Sequence, residues 1–266
     1  MQVRRSARDA VDFLYPPACA MCGRPRIAAD SVPRLLCEAC RCAVAPPLPH
    51  RCHRCSAPVG PYLDTTQGCI HCRSDRYAFE RVVSLGAYGG SLRDAVLTVK
   101  QSRGEILATA LAELLVLRDQ EFFDSAKADV VVPVPHHWTD RVLSQHLPPE
   151  TLAARIARLL KVPLSSHILA KVRRTPPQTA LEPSERRNNL RGAFRLIGRP
   201  QLAGARVLLV DDVLTTGTTA HRAASLLKKA GATVNVAVLA RGLGALTQPA
   251  PVGTAAATAT AAVSPN

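Results

Sequence analysis

Apolar positions change their spacing several times along this chain, and the changes mark out a series of alternating elements. Arg206–Val210 holds an unbroken apolar run, Val207 to Val210, the pattern of a strand covered on both faces. Val82, Val83, Leu85 and Ala87 form a strand-like run that ends at Gly89-Gly90, and Asp129–Val134 and Thr233–Leu239 form two more. Ser91–Lys100, Glu105–Arg118, Glu150–Leu160 and Thr218–Ala230 carry apolar residues at helical intervals, the first two separated by Ser102-Arg103-Gly104. Pro133 and Pro135 prevent regular ladder pairing and predict a tight turn where the Asp129 strand ends. Strand alternating with helix predicts an α/β fold, a parallel sheet flanked by helices, starting near Tyr77.

Both ends of the chain break this rhythm. Pro25, Pro46, Pro47, Pro49, Pro58 and Pro61 interrupt an N-terminal stretch poor in large apolar residues, which cannot build a sufficient core of its own. Ala245–Asn266 is almost entirely Ala, Thr, Pro, Gly and Val with no charge, and predicts a disordered tail. The expected organisation is a small unit over residues 1–78, an α/β unit over 79–244 and a tail over 245–266.

The proline-rich unit holds its own means of stabilisation. Eight of the nine cysteines form four Cys-x-x-Cys pairs: Cys19/Cys22, Cys37/Cys40, Cys52/Cys55 and Cys69/Cys72. Two such pairs supply one tetrahedral thiolate site, so the expectation is two structural zinc sites, each from consecutive pairs, in a double zinc ribbon. A cross-braced arrangement, first pair with third, is the alternative pairing. A disulfide framework requires secretion, and Met1–Asp12 is polar and charged rather than a signal peptide. Cys42 has no partner at this spacing, and His53 and His71 lie inside knuckles without being needed as ligands.

The chemistry of the α/β unit centres on the end of its Arg206 strand. Asp211 and Asp212 follow Val210 directly, at the position where open α/β sheets bind ligands. Adjacent carboxylates are costly to bury without hydroxyl donors, a cation or solvent. Thr215, Thr216, Gly217, Thr218 and Thr219 come next and lead into a helix, whose N-terminal amides and threonine hydroxyls suit a dianionic phosphate. Gly217 allows the backbone to fold closely there. The arrangement predicts a sugar held at one end and its phosphate at the other.

Charge adds a second theme. The formal net charge is +14, and between Arg141 and Arg195 eleven Lys/Arg face three Asp/Glu. Lys171, Arg173, Arg174, Arg186 and Arg187 bracket Thr175–Ser184, a segment able to close as a lid, and Lys100 and Arg241 are further candidates to face the cleft. A solvated basic loop is the plain alternative. Aromatic residues make up 4% of the chain, so base-stacking platforms are sparse; Tyr62, Tyr77, Phe79 and Trp138 are the few candidates, and a place in the core or at its rim is the favoured reading of each. No run is long enough to span a bilayer, and a cytoplasmic protein is expected.

Four apolar residues, two acids and a Thr/Gly loop resemble the signature of the type I phosphoribosyltransferases. In that family the acidic pair binds the ribose 2′ and 3′ hydroxyls of phosphoribosyl pyrophosphate (PRPP), and the loop takes its 5′-phosphate. The resemblance assigns the first role to Asp211 and Asp212 and the second to Thr215 through Thr219, with Mg²⁺ bridging pyrophosphate and ribose oxygens. Thr215 stands where 6-oxopurine members carry an acid, which argues against hypoxanthine or guanine as acceptor.

Val131-Val-Pro-Val-Pro135, Arg141, Gln145, Thr175-Pro-Pro-Gln178, Glu185-Arg-Arg187, Asn189 and Gly192-Ala-Phe194 narrow the resemblance to the ComF family, over roughly Cys19 to Arg241. Members join a double zinc ribbon to a phosphoribosyltransferase domain and are associated with DNA uptake in natural transformation. Arg141 is the third catalytic candidate, although Arg141-Val-Leu-Ser-Gln145 replaces the usual Arg-Gly-Phe-Asn-Gln, and without that glycine a different turn after the strand is the expectation. Two functions follow as expectations: a PRPP-binding phosphoribosyltransferase, or a non-enzymatic zinc- and single-stranded-DNA-binding competence protein that keeps the fold for regulation or for binding competence partners.

Overall fold

A computed structural model of the protein describes residues 18–25, 35–137, 146–173 and 192–243. Its centre is a parallel sheet of β1 (Val82–Ala87), β2 (Val130–Pro133), β5 (Arg206–Val210), β6 (Val213–Leu214) and β7 (Thr233–Arg241). The spatial order is β1-β7-β5-β2, with β6 pairing on β7. After β1 the chain crosses to the far edge at β2, then returns through β5 and β7 to lie beside β1.

Two cores flank this sheet, which is why its strands read as continuous apolar runs. Leu208 and Val210 of β5 face one side, and Val207 and Leu209 the other. On the first side lie α2 (Gly90–Val99), α3 (Glu105–Arg118), α4 (Gln120–Ala126) and α5 (Pro148–Leu160). α3 is buried along most of its circumference, and its buried Glu113 is paired with Arg155 of α5. The second side is covered by α6 (Thr218–Lys229), which buries Ala220, Ala223, Ala224 and Leu227 at helical spacing. A two-stranded antiparallel ribbon, β3 (Leu169–Lys171) with β4 (Phe194–Leu196), contributes Leu169 and Phe194 to that core.

β1 is an edge strand, and its outer carbonyls are not left open. Arg118 donates to the Leu85 and Ser84 carbonyls at 2.5 and 2.6 Å, and Arg51 reaches the Ser84 carbonyl at 3.3 Å. The nearly inaccessible Asp119 pairs with both guanidiniums. Charged caps of this kind stop an edge from templating further strands, and here they also fasten the cysteine-rich region to the sheet. The Ser56 and Ser84 hydroxyls, 2.9 Å apart and buried, form another tie. A cavity of about 710 Å³ remains along this edge, lined by Arg51, Arg81, Val83, Asp119 and Phe122 among others.

The short helix α1 (Glu38–Val44) carries Cys40 and packs its Val44 into the same core as α2. Neither α1, α4, β6 nor the β3–β4 ribbon was expected from the apolar pattern. α5 begins at Pro148 and not at Glu150, because both prolines occupy its first turn, where their missing N–H groups cost nothing. Arg141, Gln145, Trp138, the segment 174–191 and the tail 245–266 lie outside the described residues.

Candidate functional site

The parallel ladder β2-β5-β7 ends in a shelf on which the acid pair sits. The Asp211 amide donates to the Ala237 carbonyl at 3.1 Å, continuing the β5–β7 ladder by one residue. The Asp212 carbonyl then accepts the amides of Leu239 and Ala240 at 3.0 and 3.3 Å, so the turn is clamped against β7 before β6 begins. Each carboxylate accepts the amide of its successor: Asp211 Oδ1 from Asp212 at 2.9 Å, Asp212 Oδ1 from Val213 at 2.7 Å. Asp212 Oδ2 is 2.8 Å from Lys100 Nζ, which arrives from the C-terminal end of α2.

Electrostatics separate the two acids. Burial, reinforced by the neighbouring Asp212 carboxylate, pushes Asp211 well above the usual carboxylate range. Burial opposes the charge on Lys100, but Asp212 and then Asp211 more than offset it, and the net shift is upward. A lysine drawn against this pair shows that the site favours a cation. Carboxylate oxygens are the hard donors that Mg²⁺ prefers, so the residues fit the metal implied by the resemblance.

The threonine loop follows. Gly217 has φ +72° and forms the N-cap of α6, the left-handed conformation that favours glycine. Thr216 Oγ1 and Thr218 Oγ1 lie 2.8 Å apart, and the Thr218 amide points at Thr216 Oγ1 at 3.4 Å. Hydroxyls and amides thus converge at the start of a twelve-residue helix, where the backbone dipoles favour an anion. Thr215 is exposed at the rim.

Arg241 does not face the cleft. It is 2% exposed and turns inward, donating to the Leu214 carbonyl at 3.1 Å and to the carbonyls of Thr215 and Gly242. Its guanidinium therefore braces the loop from behind. Tyr77 braces it from another direction: a Cβ added to Gly217 would lie 2.8 Å from the Tyr77 ring. The Tyr77 hydroxyl is 3.3 Å from the Thr216 carbonyl and 2.8 Å from Asp75 Oδ2. The Ala78 amide donates to His221 Nδ1 of α6 at 3.1 Å. These contacts join residues about 140 positions apart and had no signature in the local pattern. Phe79 is core, stacked on Tyr77 at 4.5 Å, whereas Tyr62 is 99% exposed.

The cysteines gather into two quartets in chain order: Cys19, Cys22, Cys37 and Cys40, then Cys52, Cys55, Cys69 and Cys72. Within the second, Sγ···Sγ separations are 3.6, 3.7 and 4.0 Å, and Cys22 to Cys37 in the first is 3.8 Å. A tetrahedron with Zn–S bonds of about 2.3 Å has edges of about 3.8 Å, so both quartets have the spacing of a structural zinc site. A hydrogen bond from Cys55 leads the effects that lower the Cys52 thiol to about 4, and the same bond, with burial, pushes the Cys55 thiol up. The quartets differ in shelter: all four second-site cysteines are buried, while in the first only Cys19 is. Cys42 is exposed and outside both.

Residues 10–73 match the double zinc ribbon domain family, and residues 150–250 the phosphoribosyl transferase domain family. The parallel sheet with helices on both faces, ending in the acid pair and Thr/Gly loop, is accordingly a type I phosphoribosyltransferase fold. DNA utilization protein YhgH of Salmonella typhi is 34% identical over 201 residues, 72% of this chain and 84% of that protein. Competence protein F of Haemophilus influenzae is 29% identical over 184 residues, 68% of this chain and 79% of its own. The solved purine phosphoribosyltransferase of Pyrococcus horikoshii is 22% identical, with 50% of this chain and 73% of its own covered and a TM-score of 0.34. With its double zinc ribbon, its phosphoribosyltransferase domain and relatives matched along most of their length, the chain belongs to the ComF family.

Proposed function

We propose that the protein binds PRPP at the C-terminal end of β5 and works as a phosphoribosyltransferase-like component of DNA uptake. The observation that carries this reading is the continuous unit from the Asp211–Asp212 pair to the Thr215–Thr219 loop, with Lys100 drawn onto the acids. Asp211 and Asp212 hold the ribose 2′ and 3′ hydroxyls. Thr215, Thr216, Gly217, Thr218 and Thr219 seat the 5′-phosphate against the first turn of α6. When bound, Mg²⁺ neutralises pyrophosphate oxygens, and Asp211 and Asp212 are the residues that would hold it near the ribose.

In transfer, pyrophosphate leaves C1 as positive charge develops on the ribose, so the groups needed are those that neutralise the leaving anion and exclude water. Arg141 and the basic segment around 171–187 are the candidates, and Lys100, paired with Asp212 here, would be freed for the same role were a metal held by the acid pair. The division into a ribbon unit, 1–78, and a PRPP unit, 79–244, belongs to the same proposal. The names of the relatives, competence protein F and DNA utilization protein YhgH, support a role in handling incoming DNA.

A second reading is favoured by Tyr62, whose ring is almost wholly exposed, with exposed Leu63 beside it and exposed Ile70 on the same ribbon. A stacking aromatic on a basic protein suits single-stranded DNA. Calorimetric titration separates the two. PRPP with Mg²⁺ binds the native chain and not the Asp211→Asn/Asp212→Asn variant under the first reading. Equal heats in both, with single-strand binding lost on Tyr62→Ala, would favour the second.

A further inference from the structure

The second cysteine quartet lies directly behind the phosphate loop, and one side chain connects them. Tyr77 packs on the core formed by Cys52, Cys55, Cys69 and Cys72, and its ring edge occupies the space a Gly217 side chain would need. Arg54, from the knuckle between Cys52 and Cys55, lies 5.3 Å above the Tyr77 ring. The same guanidinium donates to the carbonyl of Cys72 at 3.0 Å and to that of Asp75 at 2.5 Å. Asp75 in turn receives the Tyr77 hydroxyl. The four thiols therefore set the backbone that carries Arg54 and Asp75, these two set Tyr77, and Tyr77 sets the peptide between Thr216 and Gly217. The first quartet has another neighbourhood: Cys19, Leu36 and Val44 join the core of α2 and α3.

We propose that Tyr77 is a positioning residue for the phosphate loop, and that metal at the second quartet, but not the first, controls the loop's grip on a 5′-phosphate. The inference rests on the PRPP reading for its ligand but not for its coupling. Without the Tyr77 ring, Gly217 is free to leave its left-handed conformation and the Thr216 and Thr218 hydroxyls lose their common orientation. A ligand then meets a loop that must be ordered on binding, and affinity falls by the cost of that ordering. Thiolate sites fold only when ligated, so loss of the second metal releases Arg54 and Asp75 together.

The test uses the full chain with ribose 5-phosphate as probe, calorimetry for affinity, elemental analysis for zinc, and amide hydrogen exchange over residues 215–219. Tyr77→Leu keeps two zinc ions per chain, weakens ribose 5-phosphate about tenfold and speeds exchange at Gly217 and Thr218 by about the same factor, while exchange in α3 is unchanged. Tyr77→Phe, which retains the ring, recovers most of both. Cys69→Ser reproduces the Tyr77→Leu effect and Cys40→Ser does not. Native affinity and native loop exchange in zinc-replete Tyr77→Leu would overturn the proposal. If the native chain takes no ribose 5-phosphate while Tyr77→Leu still loosens the loop, the PRPP reading fails and the coupling stands.

Discussion

Asp211 is held where its charged form is disfavoured. Burial and the adjacent Asp212 carboxylate raise its pKa, so the folded state binds a proton more tightly than the unfolded chain does. Stability from this group is present at low pH and is lost as pH rises through the raised folded value, and Asp211→Asn is expected to increase Tm at neutral pH. If the pair takes Mg²⁺ and PRPP in its ionised form, affinity falls as pH is lowered through that raised value, with a proton released on binding in the same range. Calorimetry in two buffers of different ionisation heat reads this directly. Equal heats in both, or release that persists in Asp211→Asn, would contradict it. Gly217→Ala makes a second prediction at this scale. The left-handed backbone costs a non-glycine residue roughly 1–2 kcal/mol, and the new methyl would meet Tyr77 at 2.8 Å. Ribose 5-phosphate affinity should fall at least about tenfold, with zinc content unaltered.

The elements differ in how far local sequence reveals them. β5 and α6 were legible because each buries a complete period: both faces of a strand, and one stripe of a helix at Ala220, Ala223, Ala224 and Leu227. The acid pair and glycine were legible because they fall at the junction between those elements. β3 and β4 have three residues each and show no period, and α1 is hidden inside a Cys-x-x-Cys knuckle whose cysteines already had a use. Tyr77 was expected in the core or at its rim and Arg241 at the cleft, but nothing near either residue says that both brace a loop assembled from distant segments. α6 also depends on a contact of this kind. Burial, then Arg222, lowers the pKa of His221, which accepts the Ala78 amide as a neutral ring. Its contribution is complete above the unfolded value of about 6.5 and is lost as pH falls through the depressed folded value. Thermal melts should show stability decreasing with acidification below about pH 6.5, and a flatter profile in His221→Gln; identical profiles would refute the assignment.

Across the whole molecule, the ribbons act as a mount for the sheet more than as a separate appendage. Arg51 and Asp119 tie the second ribbon to the β1 edge, and the two quartets back different sides of the α/β unit. Their unequal shelter predicts unequal metal release. A chelator with a metallochromic indicator should remove the metal of the Cys19 quartet quickly and that of the buried Cys52 quartet slowly, and PRPP affinity should follow the slow phase. A single phase with one zinc per chain would contradict the two-site account. The proposed ligand is a pentose on Asp211 and Asp212 with its phosphate in the threonine loop, and crystals soaked with PRPP and Mg²⁺ would reveal its seat. Ribose hydroxyls are expected on the two carboxylates, the 5′-phosphate within hydrogen-bond distance of the Thr216–Thr219 loop, and Lys100 displaced from Asp212. PRPP seated instead in the cavity beside β1, with the Lys100–Asp212 pair intact, would contradict it.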